Sequence, residues 1–203
     1  MSSFLERMKS QAQATRKTIV LPEGEDPRTI EAARQIVAGG LAHLIILGDP
    51  NTISVAGATV IDPTTSDRHE VYAQRFAELR AKKGVTIEQA RGQMDDADGL
   101  VSGACHSTAN TLRPALQILR TAPGTKLVSA FFVMCTHSEY GEHGTLMFAD
   151  CGLNIDPTAD ELSEIALATA HTWRQFMSVE PKVAMLSFST KGSAKHEDVD
   201  KVV

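Results

Sequence analysis

Asp98-Gly-Leu-Val-Ser-Gly-Ala-Cys-His-Ser-Thr-Ala-Asn-Thr-Leu-Arg-Pro-Ala-Leu-Gln117 decides how this chain is read. A short apolar run, Asp98 to Ser102, enters a turn of small residues. A helix then starts near Ser107 and runs to about Arg120, with Leu112, Leu116 and Leu119 along one stripe. Helix N-termini leave backbone N–H groups unpaired and carry partial positive charge. The Ser107 and Thr108 hydroxyls at such an end, with Arg113 in the second turn, suit a phosphate. An ordinary Ser/Thr-capped helix packed on a sheet shares the same local pattern.

The flanking segments continue the theme. Thr18 to Leu21 is a β-branched run ending at Pro22-Glu-Gly, and Asp26-Pro27 opens a helix with Ile30, Ala33 and Val37 on one face. Gly39-Gly40 ends that helix. His43 to Leu47 and Thr59 to Ile61 read as buried strands, each closed by an Asp-Pro turn signal. This β-α-β order predicts parallel pairing. Ser66 to Lys82 reads as a helix with Arg80 near its end, and Thr86-Ile-Glu-Gln has the form of a further helix start.

In the second half, Lys126 to Met134 and Thr145 to Ala149 are apolar on both faces, as strands covered on both sides are. A polar Gly/His-rich loop separates them. Asp160 to Met177 is strongly amphipathic, Val183 to Phe188 reads as a strand, and Ser187 to Lys195 repeats the strand, Ser/Thr/Gly turn, helix-start pattern. The expected architecture is α/β, with mostly parallel sheets and helices on both faces. The boundary falls near Ala122 to Lys126 or in the Cys135 to Gly144 loop, and the former gives a first lobe over 1–124 and an incomplete second lobe over 125–203.

Composition narrows the function. The chain has 203 residues and a formal net charge of -5. It offers no basic field for nucleic acid, so a polyanion would be met by a local arginine site. No apolar run reaches the roughly 18 residues of a membrane span, and the polar start lacks a signal-peptide core. A cytoplasmic protein is expected. Cys105, Cys135 and Cys151 are odd in number and irregularly spaced, which reads as free thiols. Cys135-x-His137, Cys105-His106 and Cys151 match no zinc spacing, so no metal is assigned and the cysteines read as small buried fillers.

Four stretches together resemble the phosphate acetyltransferase family: Ile19 to Glu25 (IVLPEGE), Ser102 to Gln117, Phe148 to Pro157 (FADCGLNIDP) and Lys182 to Lys195 (KVAMLSFSTKGSAK). They fall in the family's order and span nearly the whole chain. The resemblance implies two α/β lobes similar to those of isocitrate and isopropylmalate dehydrogenases. It also implies a homodimer and an enzyme of acetate metabolism. The implied reaction is reversible acetyl transfer between coenzyme A and phosphate, by direct thiol attack in a ternary complex. Coenzyme A enters as a substrate, with acetyl phosphate and phosphate, and no tightly bound cofactor is implied.

By the family's pattern, Arg113 and Arg80 match its substrate-phosphate and coenzyme arginines, with Ser107 and Thr108 at the helix mouth. Ser189, Thr190, Lys191 and Ser193 line the facing wall. Alone, Arg80 reads as a solvated helix-end charge and the Ser189 turn as a plain polar turn. The family's Ser-Arg-Gly motif and following aspartate, which supply the transition-state arginine and the base, have no counterpart in these residues. The catalytic residues are therefore unassigned, and a C-terminally truncated form is expected. A coenzyme-A- or phosphate-binding fragment or partner subunit without catalysis is the alternative. Shortened segments at Asn51 to Ala58 and before Asp98, and Cys135-Thr-His-Ser-Glu139, also depart from the family's pattern.

Overall fold

Thr18, Ile19 and Val20 are β-branched, and β1 forms over Thr18–Leu21. The computed structural model describes residues 3–80, 97–119, 121–190 and 192–203. β2 (His43–Leu47), β3 (Thr59–Ile61) and β4 (Gly99–Leu100) join β1 in a parallel sheet of order β3-β2-β1-β4. Thr18 pairs with His43 and Leu21 with Ile46, while Ile19 pairs with Gly99 on the other side. β2 and β3 lie to one side of β1 and β4 to the other, so the topology reverses between β1 and β4.

Helix α1 (Ser3–Thr15), which the sequence reading did not anticipate, precedes the sheet. Helix α2 (Pro27–Ala38) begins as expected. Asp26 caps it by accepting the Arg28 N–H, Pro27 needs no donor at the first position, and Gly39 closes it. Ala33 is fully buried, so α2 lies close against the sheet. Leu21, Ala33, Leu44, Ile46 and Val55 form the core there, and each large side chain contributes about 1.5–3 kcal/mol by leaving water. Gly24 is held by approach: a Cβ would collide with the Leu47 carbonyl oxygen and lie 2.8 Å from Ile46 Cγ2. Helix α3 spans His69–Arg80. The expected helix start at Thr86 lies outside the described residues.

Helix α4 is shorter than expected, Thr108–Pro114, and continues as a wider π-type turn over Ala115–Leu119. Pro114 has no N–H to give the preceding turn, which explains the change of register. Leu116 of the expected apolar stripe remains 48% exposed.

The chain divides into two compact units, Leu5–Arg120 and Thr121–Val203 with Met1–Phe4. In the second, β5 (Phe131–Cys135) and β6 (Thr145–Ala149) pair antiparallel, from Phe131 opposite Ala149 to Cys135 opposite Thr145. The extended run was expected from Lys126, but β5 begins at Phe131. Upstream, the Ala130 N–H and the Val128 carbonyl bond Asp150 and Asn154 side chains, not a neighbouring strand. Helix α5 (Ala159–Met177) starts with a Thr158/Glu161 capping box and buries Ile165, Ala170 and Met177. Phe176 meets Phe131 edge-on at 6.1 Å between ring centroids.

Val183 to Phe188, expected as a strand, is not one. The segment has no ladder partner among the described residues, and Val183, Met185, Leu186 and Phe188 are exposed. A short helix, α6 (Glu197–Asp200), follows.

Candidate functional site

The loop after β1 and the loop after β4 meet over a single carboxylate. Glu23 is 2% exposed and accepts four successive backbone N–H groups. Oε2 takes Gly103 and Ala104, both at 2.8 Å, and Oε1 takes Cys105 at 3.0 Å and His106 at 3.1 Å. His106 Nδ1 lies 2.7 Å from the same Oε1. A carboxylate only accepts, so Nδ1 carries the hydrogen. The Cys105 Sγ–H donates to Oε1 at 3.5 Å. These bonds, led by the Cys105 N–H and working against desolvation, hold the Glu23 carboxyl far below the usual range. Gly103 has φ +113°, a conformation side-chain-bearing residues rarely adopt, and it lets four N–H groups converge on one side.

Asp26 and Arg28 brace this loop pair. The Arg28 Nε and Nη2 donate to Asp26 at 3.0 and 2.7 Å, and Nη2 also donates to the Ala104 carbonyl. The Arg28 guanidinium holds the Asp26 carboxyl below its ordinary value. Glu23, Arg28, Ser102 and Ala104 line an open groove of about 610 Å³ together with Ile19 and Leu21. In open parallel sheets, ligands bind beyond the strands' carboxyl ends where the order reverses. The β1 and β4 loops occupy that position.

From this braced turn the chain enters α4. Ser107 is its N-cap and accepts the Asn110 N–H at 3.3 Å. Thr108 is its first residue, and Ser107, Thr108 and Arg113 are all exposed. No ion pair among the described residues engages Arg113. Arg80 is the last residue of α3, and its side chain lies outside the described residues, as does Lys191.

Ser189, Thr190 and Ser193 belong to the other unit. Ser189 Oγ accepts the Ala194 N–H at 3.0 Å, the Ser189 N–H donates to Ser187 Oγ at 3.2 Å, and the Ser193 N–H donates to the Thr190 carbonyl at 3.1 Å. This is the plain polar turn of short-range bonds. Arg174 donates to both carboxylate oxygens of Glu180 at 2.8–3.0 Å. It is a structural arginine.

The cysteines correct an expectation. Cys105 and Cys135 are exposed and Cys151 is partly so, not buried fillers. Partial desolvation and then the Glu23 carboxylate push the Cys105 thiol up, which keeps it protonated. Asp150, after β6, repeats the Glu23 arrangement locally. Desolvation alone would raise its carboxyl, but the Leu153 and Gly152 N–H groups, the Asn154 amide and the Ala130 N–H bring it below the ordinary value.

Sequence reasoning missed Glu23, Asp26 and Arg28 as parts of the site. Glu23 left one signal, a carboxylate two residues past the buried end of β1.

Comparison with known proteins agrees across the chain. Residues 3–203 match the family described as Phosphate acetyl/butaryl transferase. A phosphate acetyltransferase of Thermoanaerobacterium thermosaccharolyticum is 46% identical over 221 residues, covering 98% of this chain and 67% of the relative. One of Clostridium acetobutylicum is 49% identical over 214 residues, covering 94% and 64%. Among solved structures, the EutD phosphotransacetylase of Staphylococcus aureus superposes with a TM-score of 0.81 at 39% identity, covering 98% of this chain and 65% of that one. A phosphotransacetylase of Streptococcus pyogenes gives 0.82 at 39%, covering 99% and 67%. This chain thus spans about two thirds of the length of these relatives, and it belongs to the phosphate acetyl/butaryl transferase family.

Proposed function

We propose that this chain takes part in acetyl transfer between acetyl-coenzyme A and phosphate, binding the acyl phosphate at the α4 mouth. The observation that carries this reading is the Glu23-bound turn at the sheet's reversal point. It presents Ser107, Thr108 and an arginine free of ion pairs among the described residues. Acetyl phosphate and the coenzyme's phosphates are anionic, and attack on the acetyl carbonyl builds further negative charge. A guanidinium answers both. Arg113 takes the acyl phosphate in this reading, Arg80 the coenzyme, and Ser189, Thr190, Lys191 and Ser193 further substrate groups, on lobes that are each dehydrogenase-like.

In the chemical step the coenzyme sulfur forms a bond to the acetyl carbon. The bond from that carbon to the phosphate oxygen breaks, and phosphate leaves with its electron pair. The thiol proton goes to a base that the residues of this sequence do not identify. A cytoplasmic, acetate-metabolising homodimer fits this reading, and no helix among the described residues is long and apolar enough to cross a membrane.

In this reading the acyl group passes directly between substrates, and Cys105, whose thiol is pushed up by partial desolvation and the hydrogen bond to Glu23, is not its carrier. Cys105→Ala therefore leaves the rate of acetyl transfer within about threefold, whereas a covalent mechanism would lose it almost entirely. The second reading, binding without catalysis, is favoured by Arg174. It is the sole arginine after Asp150 and it is committed to Glu180. A coupled assay of acetyl-coenzyme A formation from acetyl phosphate, run beside calorimetry with coenzyme A, separates the two. Turnover establishes transfer, binding without turnover establishes the second reading, and loss of both by a folded chain rejects each.

A further inference from the structure

The one cluster of cation-ligating side chains found among the described residues is Glu23, Cys105 and His106. Each contributes a donor atom to the same small volume. Cys105 Sγ lies 3.5 Å from Glu23 Oε1 and 3.6 Å from His106 Nδ1, and Nδ1 lies 2.7 Å from Oε1.

Zinc–ligand bonds of roughly 2.3 Å to sulfur and 2.1 Å to nitrogen or oxygen set tetrahedral edges of about 3.6 Å from sulfur and 3.4 Å between nitrogen and oxygen. The two edges to sulfur already match. The third is a hydrogen-bond contact of 2.7 Å, which an ion replacing that hydrogen would have to widen to the roughly 3.4 Å edge by turning the exposed His106 ring.

The donor set also suits a borderline-soft ion: one thiol, one imidazole and one carboxylate. Glu23 is buried and its Oε1 accepts the Cys105 and His106 N–H groups while Oε2 accepts those of Gly103 and Ala104, so the carboxylate is held in place before any ion arrives. Cys105 and His106 are exposed, which leaves an entry path and an open fourth position. Neither the cysteine spacing nor the Cys-His dipeptide reveals this site, because Glu23 is contributed from 82 residues away from Cys105.

We propose that Glu23 Oε1, Cys105 Sγ and His106 Nδ1 bind one Zn²⁺ ion, with a solvent molecule as fourth ligand. Binding forms three bonds to zinc. It releases the thiol proton to solvent, and the imidazole proton moves to Nε2 or to solvent, with no change of oxidation state. The site concerns ion binding and stands whether or not the chain transfers acetyl groups.

The test uses the full chain carrying Cys135→Ala and Cys151→Ala, so that Cys105 is the remaining thiol. Zinc chloride titrated against a chromophoric chelator should show one equivalent bound. Adding Cys105→Ala should weaken binding at least ~10-fold while circular dichroism stays unchanged. Cobalt should give a thiolate-to-metal absorption band that Cys105→Ala abolishes. Absence of stoichiometric zinc binding overturns the proposal. So does equal affinity in the Cys105→Ala chain, or a cobalt spectrum without the thiolate band.

Discussion

Two turns in this chain share one sequence pattern and are held in different ways. Gly103 to Ser107 and Ser187 to Ser193 both follow an apolar run, both contain glycine and serine, and both precede a helix start. The first closes on a buried carboxylate that reaches it across some 80 residues of chain. The second is held by Ser187 and Ser189 bonding backbone groups a few residues away. Local hydroxyls shape a turn, whereas a distant ionised acceptor also ties it to the sheet. An anion site that relies on Ser107, Thr108 and an outward Arg113 beside such a turn needs the support of the distant acceptor.

The largest effect should therefore follow removal of that acceptor. Glu23→Ala leaves four converging N–H groups without their partner and frees the turn. We expect acyl-phosphate binding, measured by calorimetry, to weaken about 100-fold, the scale of a misplaced binding group. Acid should act in the same direction. The Glu23 carboxyl is lower in the folded chain than in the unfolded one, so its stabilisation is complete above the ordinary carboxylate range. It is lost progressively as pH falls from that range through the depressed folded value. Hydrogen exchange of the Gly103 to His106 amides should stay slow at pH 4 in the parent and become fast in Glu23→Gln. Equal protection in both would remove the distinction between the turns.

Arg113→Ala comes next. It takes away the charge but leaves the turn intact, so the expected loss is about tenfold or more in acetyl phosphate KM, with lower turnover. Arg113→Lys should recover part of the charge and little of the two-pronged geometry. Unchanged kinetics in both variants would move the phosphate elsewhere.

Gly24→Ala tests the support from below. Its Cβ would collide with the Leu47 carbonyl and crowd Ile46, so the β1 loop that carries Glu23 must shift. Overpacking of this kind costs about 1–3 kcal/mol. Thermal unfolding measures it, and zinc-independent loss of His106 amide protection would show that the strain reaches the turn.

What the sequence made legible follows from range. The β1-α2-β2 unit was readable because each signal is local: β-branched Thr18 to Val20, the Asp26-Pro27 cap and the Gly39 stop. Ser107 was recognisable as a cap for the same reason. Glu23 was not, because its role exists only when β4 is laid beside β1, which composition and periodicity do not encode. Val183 to Phe188 failed in the opposite sense. Its apolar run, opened by Val183, suits a strand, but a strand also needs a partner, and none pairs with it among the described residues.

The smallest effect belongs to the second turn. Ser189→Ala removes one acceptor from the Ala194 N–H, and Ser187 still takes the Ser189 N–H. Ser189 is also partly open to water, which can replace the lost acceptor. Coenzyme A and acetyl phosphate affinities should therefore change by less than about threefold, within the few tenths of a kcal/mol usual for exposed polar substitutions. Should Ser189→Ala instead weaken binding as much as Glu23→Ala, the hydroxyl must contact ligand directly. The turn would then owe its importance to chemistry at its surface and not to how it is held.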